Sequence, residues 1–115
     1  MDCELAWGFA ARAPPVERVD RMREDSSAVR DTYRALLSLY DDHGVPATWA
    51  FVGHLFYDAC EDGSHPRTDT TDRVDPYTST ATDPLYYGPD LIDSVADADI
   101  DHDVGGHSFS HPEFT

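Results

Sequence analysis

"LLSLYDDHGVPATWAFVGHLF", residues 36–56, carries the junction that decides the fold. Its first half closes an amphipathic pattern. Read back to residue 28, apolar side chains stand at Val29, Tyr33, Leu36, Leu37 and Tyr40, with gaps of 4, 3, 1 and 3. Those gaps return to one face of an α-helix. Ser26 or Ser27 is the expected N-cap, because a hydroxyl there accepts one of the unpaired N–H groups of the first turn. Gly44 is the expected stop, since the residue just past a helix commonly takes the left-handed conformation that glycine adopts freely. "VPATWAFVG", residues 45–53, follows at once. It is β-branched and aromatic, of strand length, with Pro46 near its entry, where a missing N–H does least harm. Helix, tight turn and apolar strand form the αβ half of a βαβ unit, so a parallel sheet is expected.

Working outward, "DCELAWG" (2–8) mixes acids with apolar residues and reads as a strand stub. Residues 11–27 are polar and proline-bearing, and read as a loop or a short helical turn. "HLFYDACED" (54–62) is a candidate start of another helix. Residues 61–84 are rich in Pro, Ser and Thr with no periodicity, as in a functional loop or a disordered segment. "YYGPDLIDSVADADI" (86–100) reads as a helix with Pro89 at its first position and Leu91, Ile92 and Val95 facing inward. Residues 101–115 then supply a last strand and its C-terminal loop. The expected architecture is α/β: one domain, 1–115, with parallel strands and a polar insertion at 61–84.

The charge balance is the unusual part of the composition. Twenty-three acids, 18 of them Asp, face 8 bases, all Arg, for a formal net charge of −15. Such a carboxylate-rich surface without lysine suits molar salt, where the Debye length falls to about 3 Å and self-repulsion is screened. With aromatics at 11%, a disordered acidic tail fits poorly, and a halophile-type surface is the reading. The same charge argues against nucleic acid or anionic lipid as a partner. Cys3 and Cys60 make at most one bridge and have no CxxC spacing. No secretory pattern opens the chain and no apolar run approaches the roughly 18 residues of a membrane span, so a cytoplasmic location is expected.

In parallel α/β sheets ligands gather at the C-terminal ends of strands. Asp2, Glu4 and Trp7 fall at the first such end, Gly53 and His54 at the second, and residues 105–112 at the third. His107 and His111, four apart, share one face of a turn and can close on one ion; an acid from another strand would complete a set with open positions, as in catalytic zinc sites. In a chain with six histidines, the HxxxH pair taken alone is more often a surface or cap-forming feature. "DADIDHDVGG" (97–106) is no calcium loop: counted from Asp97, the sixth position is His102 rather than Gly and the twelfth is Ser108 rather than Glu. Trp7 is open between core and substrate groove. His54 reads as a polar strand end, His43 and His65 as loop residues, and His102 as part of an acidic turn.

Three stretches together resemble one family. "HSFSHPEFT" (107–115) resembles the second signature of the polysaccharide deacetylases, the NodB-homology group, written H-[ST]-x-x-[HD]-P. Residues 36–56 resemble that group's helix and second strand, and "DCELAWG" resembles its first signature, in the family's order. The resemblance implies a deformed (β/α) barrel, here partial and truncated at both ends, and a divalent ion, usually Zn2+. His107 and His111 match the histidine ligands and Asp2 the catalytic base. The carboxylate ligand is Glu4 if the signature takes its acid–x–acid form, and Cys3 stands where the pair form has its second aspartate. The implied reaction is hydrolysis of N-acetyl groups on a polysaccharide: water is activated at the ion, and the tetrahedral oxyanion is stabilised there. The alternatives are a cyclic-amide hydrolase of the same fold and a non-catalytic remnant. The family's late signatures, including its general-acid histidine, have no counterpart in these residues. The expectation is therefore a fragment that holds the metal half of the site, with the remainder of the domain as a possible partner.

Overall fold

A computed structural model describes residues 1–10, 21, 24–59 and 84–109. His111, Cys60, His65 and the expected insertion up to residue 83 lie outside the described residues. Three parallel strands form one sheet in the order β1-β2-β3: β1 is Asp2–Cys3, β2 is Thr48–Phe51 and β3 is Asp103–Gly106. Helix α1 (Trp7–Ala10) is a single turn after β1, α2 (Ser26–Asp42) leads into β2, and α3 (Pro89–Ala96) leads into β3. A 3-10 turn, Gly53–Phe56, stands where another helix was expected to begin. This is a small α/β domain with a parallel sheet. Among the described residues no helix is long and apolar enough to cross a membrane.

Helix α2 forms on the expected face. Leu37 is buried, and Val29, Tyr33, Leu36 and Tyr40 pack against the core. Its start differs by one residue: Asp25 holds the N-cap position, makes no side-chain cap hydrogen bond, and leaves Ser26 inside the first turn. Gly44 ends the helix as expected. At φ +62° it donates its N–H to the Asp41 carbonyl (3.0 Å), and Val45 donates to the Tyr40 carbonyl (3.0 Å), so the last turn's free carbonyls are met. In α3 Pro89 opens the helix, and Leu91, Ile92 and Val95 are buried.

Two polar groups that patterning alone would leave in solvent are part of the frame. Arg30, 6% exposed, pairs with Asp90 and donates to the carbonyls of Pro84 and Tyr87, the latter at 2.8 Å. Burial pulls its pKa down, and the facing Asp90 carboxylate opposes that pull. The arginine thereby fixes residues 84–88 against α2. At the other end of the sheet, the His102 ring accepts the Ala47 N–H at Nδ1 (3.1 Å). The proton therefore sits on Nε2, which donates to the Asp41 carboxylate at 3.0 Å. Asp41 also receives the N–H groups of Ile100 (3.3 Å) and Asp99 (3.4 Å). A carboxylate at a helix C-terminus opposes the helix dipole; these three donors offset that. His102 is thus a buried clamp and not the solvated turn residue expected. It ties the end of α2 to the entry of β3, where the Asp103 N–H meets the Ala47 carbonyl at 3.0 Å.

Candidate metal centre

Register determines what meets at the C-terminal edge. Asp2 pairs with Ala50 and Ala50 with Gly105; Cys3 pairs with Phe51 and Phe51 with Gly106. One step further on, Val52 donates to the Cys3 carbonyl (3.1 Å) and His107 to the Phe51 carbonyl (2.8 Å), so Glu4, Val52 and His107 form the next row. Side chains alternate faces along a strand. Asp2 and Glu4 therefore share one face while Cys3 points into the core, fully buried, with its thiol 3.7 Å from the Met1 carbonyl. Burial pushes that thiol up to about 12, the neighbouring acids adding to the rise. An inward, protonated sulfur is no partner to the acids, which leaves Glu4 on the face where His107 arrives.

The histidine and the two acids do meet. One ligand atom each from Asp2, Glu4 and His107 lie within 4.8 Å of one another. His107 Nε2 is 3.0 Å from Glu4 Oε1, and Nδ1 is 3.9 Å from Asp2 Oδ1. Because an ionised carboxylate only accepts, the Nε2–H donates to Glu4. Glu4 and His107 are each about 70% covered, whereas the Asp2 side chain is 64% exposed. His111 lies outside the described residues, so the second histidine of the expected set is not placed.

The backbone around these groups is held in an unusual way. The two described non-glycine residues with positive φ are Leu5 (+48°) and Ser108 (+55°), and each directly follows a member of the cluster. Such conformations cost free energy and collect at functional sites, where surrounding structure enforces them. Here the enforcement is visible. The turn at Leu5 is closed by Trp7 N–H to the Glu4 carbonyl (3.0 Å), and the Ala6 N–H reaches the Leu85 carbonyl (3.1 Å). The Tyr33 hydroxyl accepts the Glu4 N–H at 3.3 Å, and burial raises the Tyr33 pKa. After His107, the Ser108 and Phe109 carbonyls accept the Gly53 (2.7 Å) and His54 (2.9 Å) N–H groups. Gly53 permits that approach: a Cβ there would stand 3.1 Å from the Phe109 backbone.

Trp7 is 3% exposed, its indole N–H donates to the Tyr86 carbonyl (3.1 Å), and its ring lies 4.5 Å from that of His54. Trp7, open in the sequence between core and substrate groove, is thus a core residue. His54 closes β2 into the turn that follows it, as expected, but does so fully buried, with Nδ1 2.9 Å from the Tyr86 carbonyl.

The donor set can be tested against a divalent cation. Oxygen and imidazole ligands sit about 2.0–2.2 Å from zinc, which in a tetrahedral arrangement sets neighbouring donors a little over 3 Å apart. The Glu4–His107 separation of 3.0 Å is close to that, and two carboxylates beside one imidazole supply negative charge. Their donor types suit such an ion; in this structure the 3.0 Å pair is joined by the Nε2–H···Oε1 hydrogen bond, whose proton a cation would replace. Comparisons with protein-family models, curated proteins and solved structures find no match to the chain.

Proposed function

We propose that this chain carries the metal-holding part of a hydrolase site. Within that class, the reaction it fits best is removal of N-acetyl groups from a glycan, in the manner of the polysaccharide deacetylases, on a partial (β/α)-barrel framework. The observation that supports this most directly is the convergence of Asp2, Glu4 and His107 within 4.8 Å at the C-terminal ends of parallel strands, from positions 103 residues apart for Glu4 and His107. The similarity of "DCELAWG" and "HSFSHPEFT" to the family's first two signatures supports it independently.

In this reading Glu4 and His107 hold a divalent cation, with His111 as the further ligand implied by the resemblance. A cation held there supplies Lewis acidity, polarising an amide carbonyl and making water a better nucleophile near neutral pH. Glu4 can hold its ligand position because α1 and the Leu5 turn fix its backbone. Asp2 is the exposed acid of the three, open to water on the same face, and takes the proton as the nucleophile attacks. With a cation in place Nε2 would give up the proton it now donates to Glu4, leaving Nδ1–H as the nitrogen that faces Asp2 Oδ1, 3.9 Å away.

The test is zinc uptake by the purified chain in molar KCl, with amine release from N-acetylglucosamine oligomers followed alongside, each with and without chelator. One equivalent of zinc, lost in His107→Ala, with little amine release is the expected result, because these residues supply the metal-holding part and no general acid for the leaving amine. Uptake that is absent or unchanged in His107→Ala, or release that ignores chelator, would contradict the reading.

A further inference from the structure

Gly8 sits on the first turn of α1, four residues beyond Glu4 and facing it. A Cβ built at Gly8 overlaps Glu4 Oε2 and stands 3.1 Å from Glu4 Cδ and from Glu4 Cβ. The first contact is inside any permitted separation, and the other two are tighter than ordinary packing. The clash is with both the carboxylate and its stem, so rotation at the end of the side chain relieves only part of it. The three nearest atoms among the described residues all belong to Glu4, its φ is not positive, and glycine within a helix is a poorer choice than alanine.

We propose that Gly8 is a positioning residue, kept free of a side chain so that the Glu4 carboxylate can lie against α1 and face His107. The inference rests on the reading of Asp2, Glu4 and His107 as a cation site, and it adds the device that sets where the glutamate donor stands. Glutamate is one methylene longer than aspartate, and in this site the extra length is accommodated in the space above Gly8. On that account the residue four positions after the acid and the acid itself are coupled: a long carboxylate at 4 needs glycine at 8, and a short one does not.

A double-mutant cycle separates this from a structural role. Zinc affinity is measured by calorimetry for wild type, Gly8→Ala, Glu4→Asp and the double variant, with thermal melting of each. Gly8→Ala is expected to weaken zinc binding by about tenfold or more, the scale seen when groups orienting a ligand are lost, while its melting temperature holds or rises. In the Glu4→Asp background the same change is expected to have little effect. Equal losses in both backgrounds, no loss in either, or a fall in melting temperature that matches the lost affinity would overturn the proposal. A metal-free readout keeps it distinguishable from the cation reading. The imidazole nitrogen resonances of His107, which report its hydrogen bond to Glu4, are expected to shift in Gly8→Ala and to be insensitive to Gly8→Ala when residue 4 is Asp. If wild type takes up no zinc, the metal assignment falls and these resonances alone decide the role of Gly8.

Discussion

His102 offers the sharpest test of how the sheet is held in register. Its side chain is fully covered, one ring nitrogen accepting the Ala47 N–H and the other donating to Asp41. His102→Ala removes both bonds. It leaves the half-buried Ala47 N–H without its partner, a loss of about 1 kcal/mol. It also opens a void beside the Tyr40 and Trp49 rings, whose centroids lie 6.5 and 6.0 Å away. With the cavity included, a destabilisation of about 3–5 kcal/mol is expected, a large share of the roughly 5–15 kcal/mol that a domain possesses. The two bonds can be separated. An Asn oxygen stands near the Nδ1 position and keeps the Ala47 bond; a Gln nitrogen stands near Nε2 and keeps the Asp41 bond. Each should cost about 1–2 kcal/mol, less than alanine. Urea unfolding in molar KCl, followed by tryptophan fluorescence, measures all four proteins, with the slope expected to stay constant. An alanine variant within about 1 kcal/mol of wild type, or one no worse than Asn and Gln, would refute the clamp.

Two further outcomes follow from the same frame. Arg30→Ala leaves the Pro84 and Tyr87 carbonyls without their donor, while Asp90, part-exposed, keeps its bond to Arg34 at 2.9 Å; it should destabilise by about 1–3 kcal/mol, with Arg30→Lys intermediate because an ammonium cannot match the guanidinium's spread of donors, and the check is again chemical unfolding. Cys3 should resist alkylation in the native state and react on unfolding. Its folded pKa, about 12 against 9.0 unfolded, means that the native state retains a proton the unfolded state releases. That contribution to stability is therefore complete below about pH 9 and is lost as pH rises toward about 12, by up to about 1.4 kcal/mol per pH unit. Tyr33, also raised, adds in the same direction. Stability in a series of alkaline buffers checks the sign, and a gain above pH 9 would contradict it.

The parallel sheet was legible because residues 36–56 combine a helical period, a glycine stop and a strand without interruption, and these signals are local. Leu91, Ile92 and Val95 were legible for the same reason. What patterning could not supply is long-range pairing. The acid that holds His102 is Asp41, 61 positions earlier, and the partner of Arg30 is Asp90, 60 positions later. In an acid-rich chain, no sequence signal distinguishes these two aspartates from the solvated ones. Asp2, Glu4 and His107 were nameable from strand-end logic and from the family resemblance, but the alternation that turns Cys3 inward and Glu4 outward needed the register. Gly8 was missed altogether. Its signal, a glycine inside a short helix one turn after an acid, becomes meaningful only when the Glu4 side chain is seen lying over it.

Cobalt(II) titration followed by visible absorption tests the convergence of these side chains most directly, because the ligand-field bands report nitrogen and oxygen donors at the ion itself. Wild type in molar KCl is predicted to take up one equivalent with a distinct band, and Glu4→Gln and His107→Ala are each predicted to lose it. Identical spectra and uptake in all three proteins would show that these groups do not share a cation.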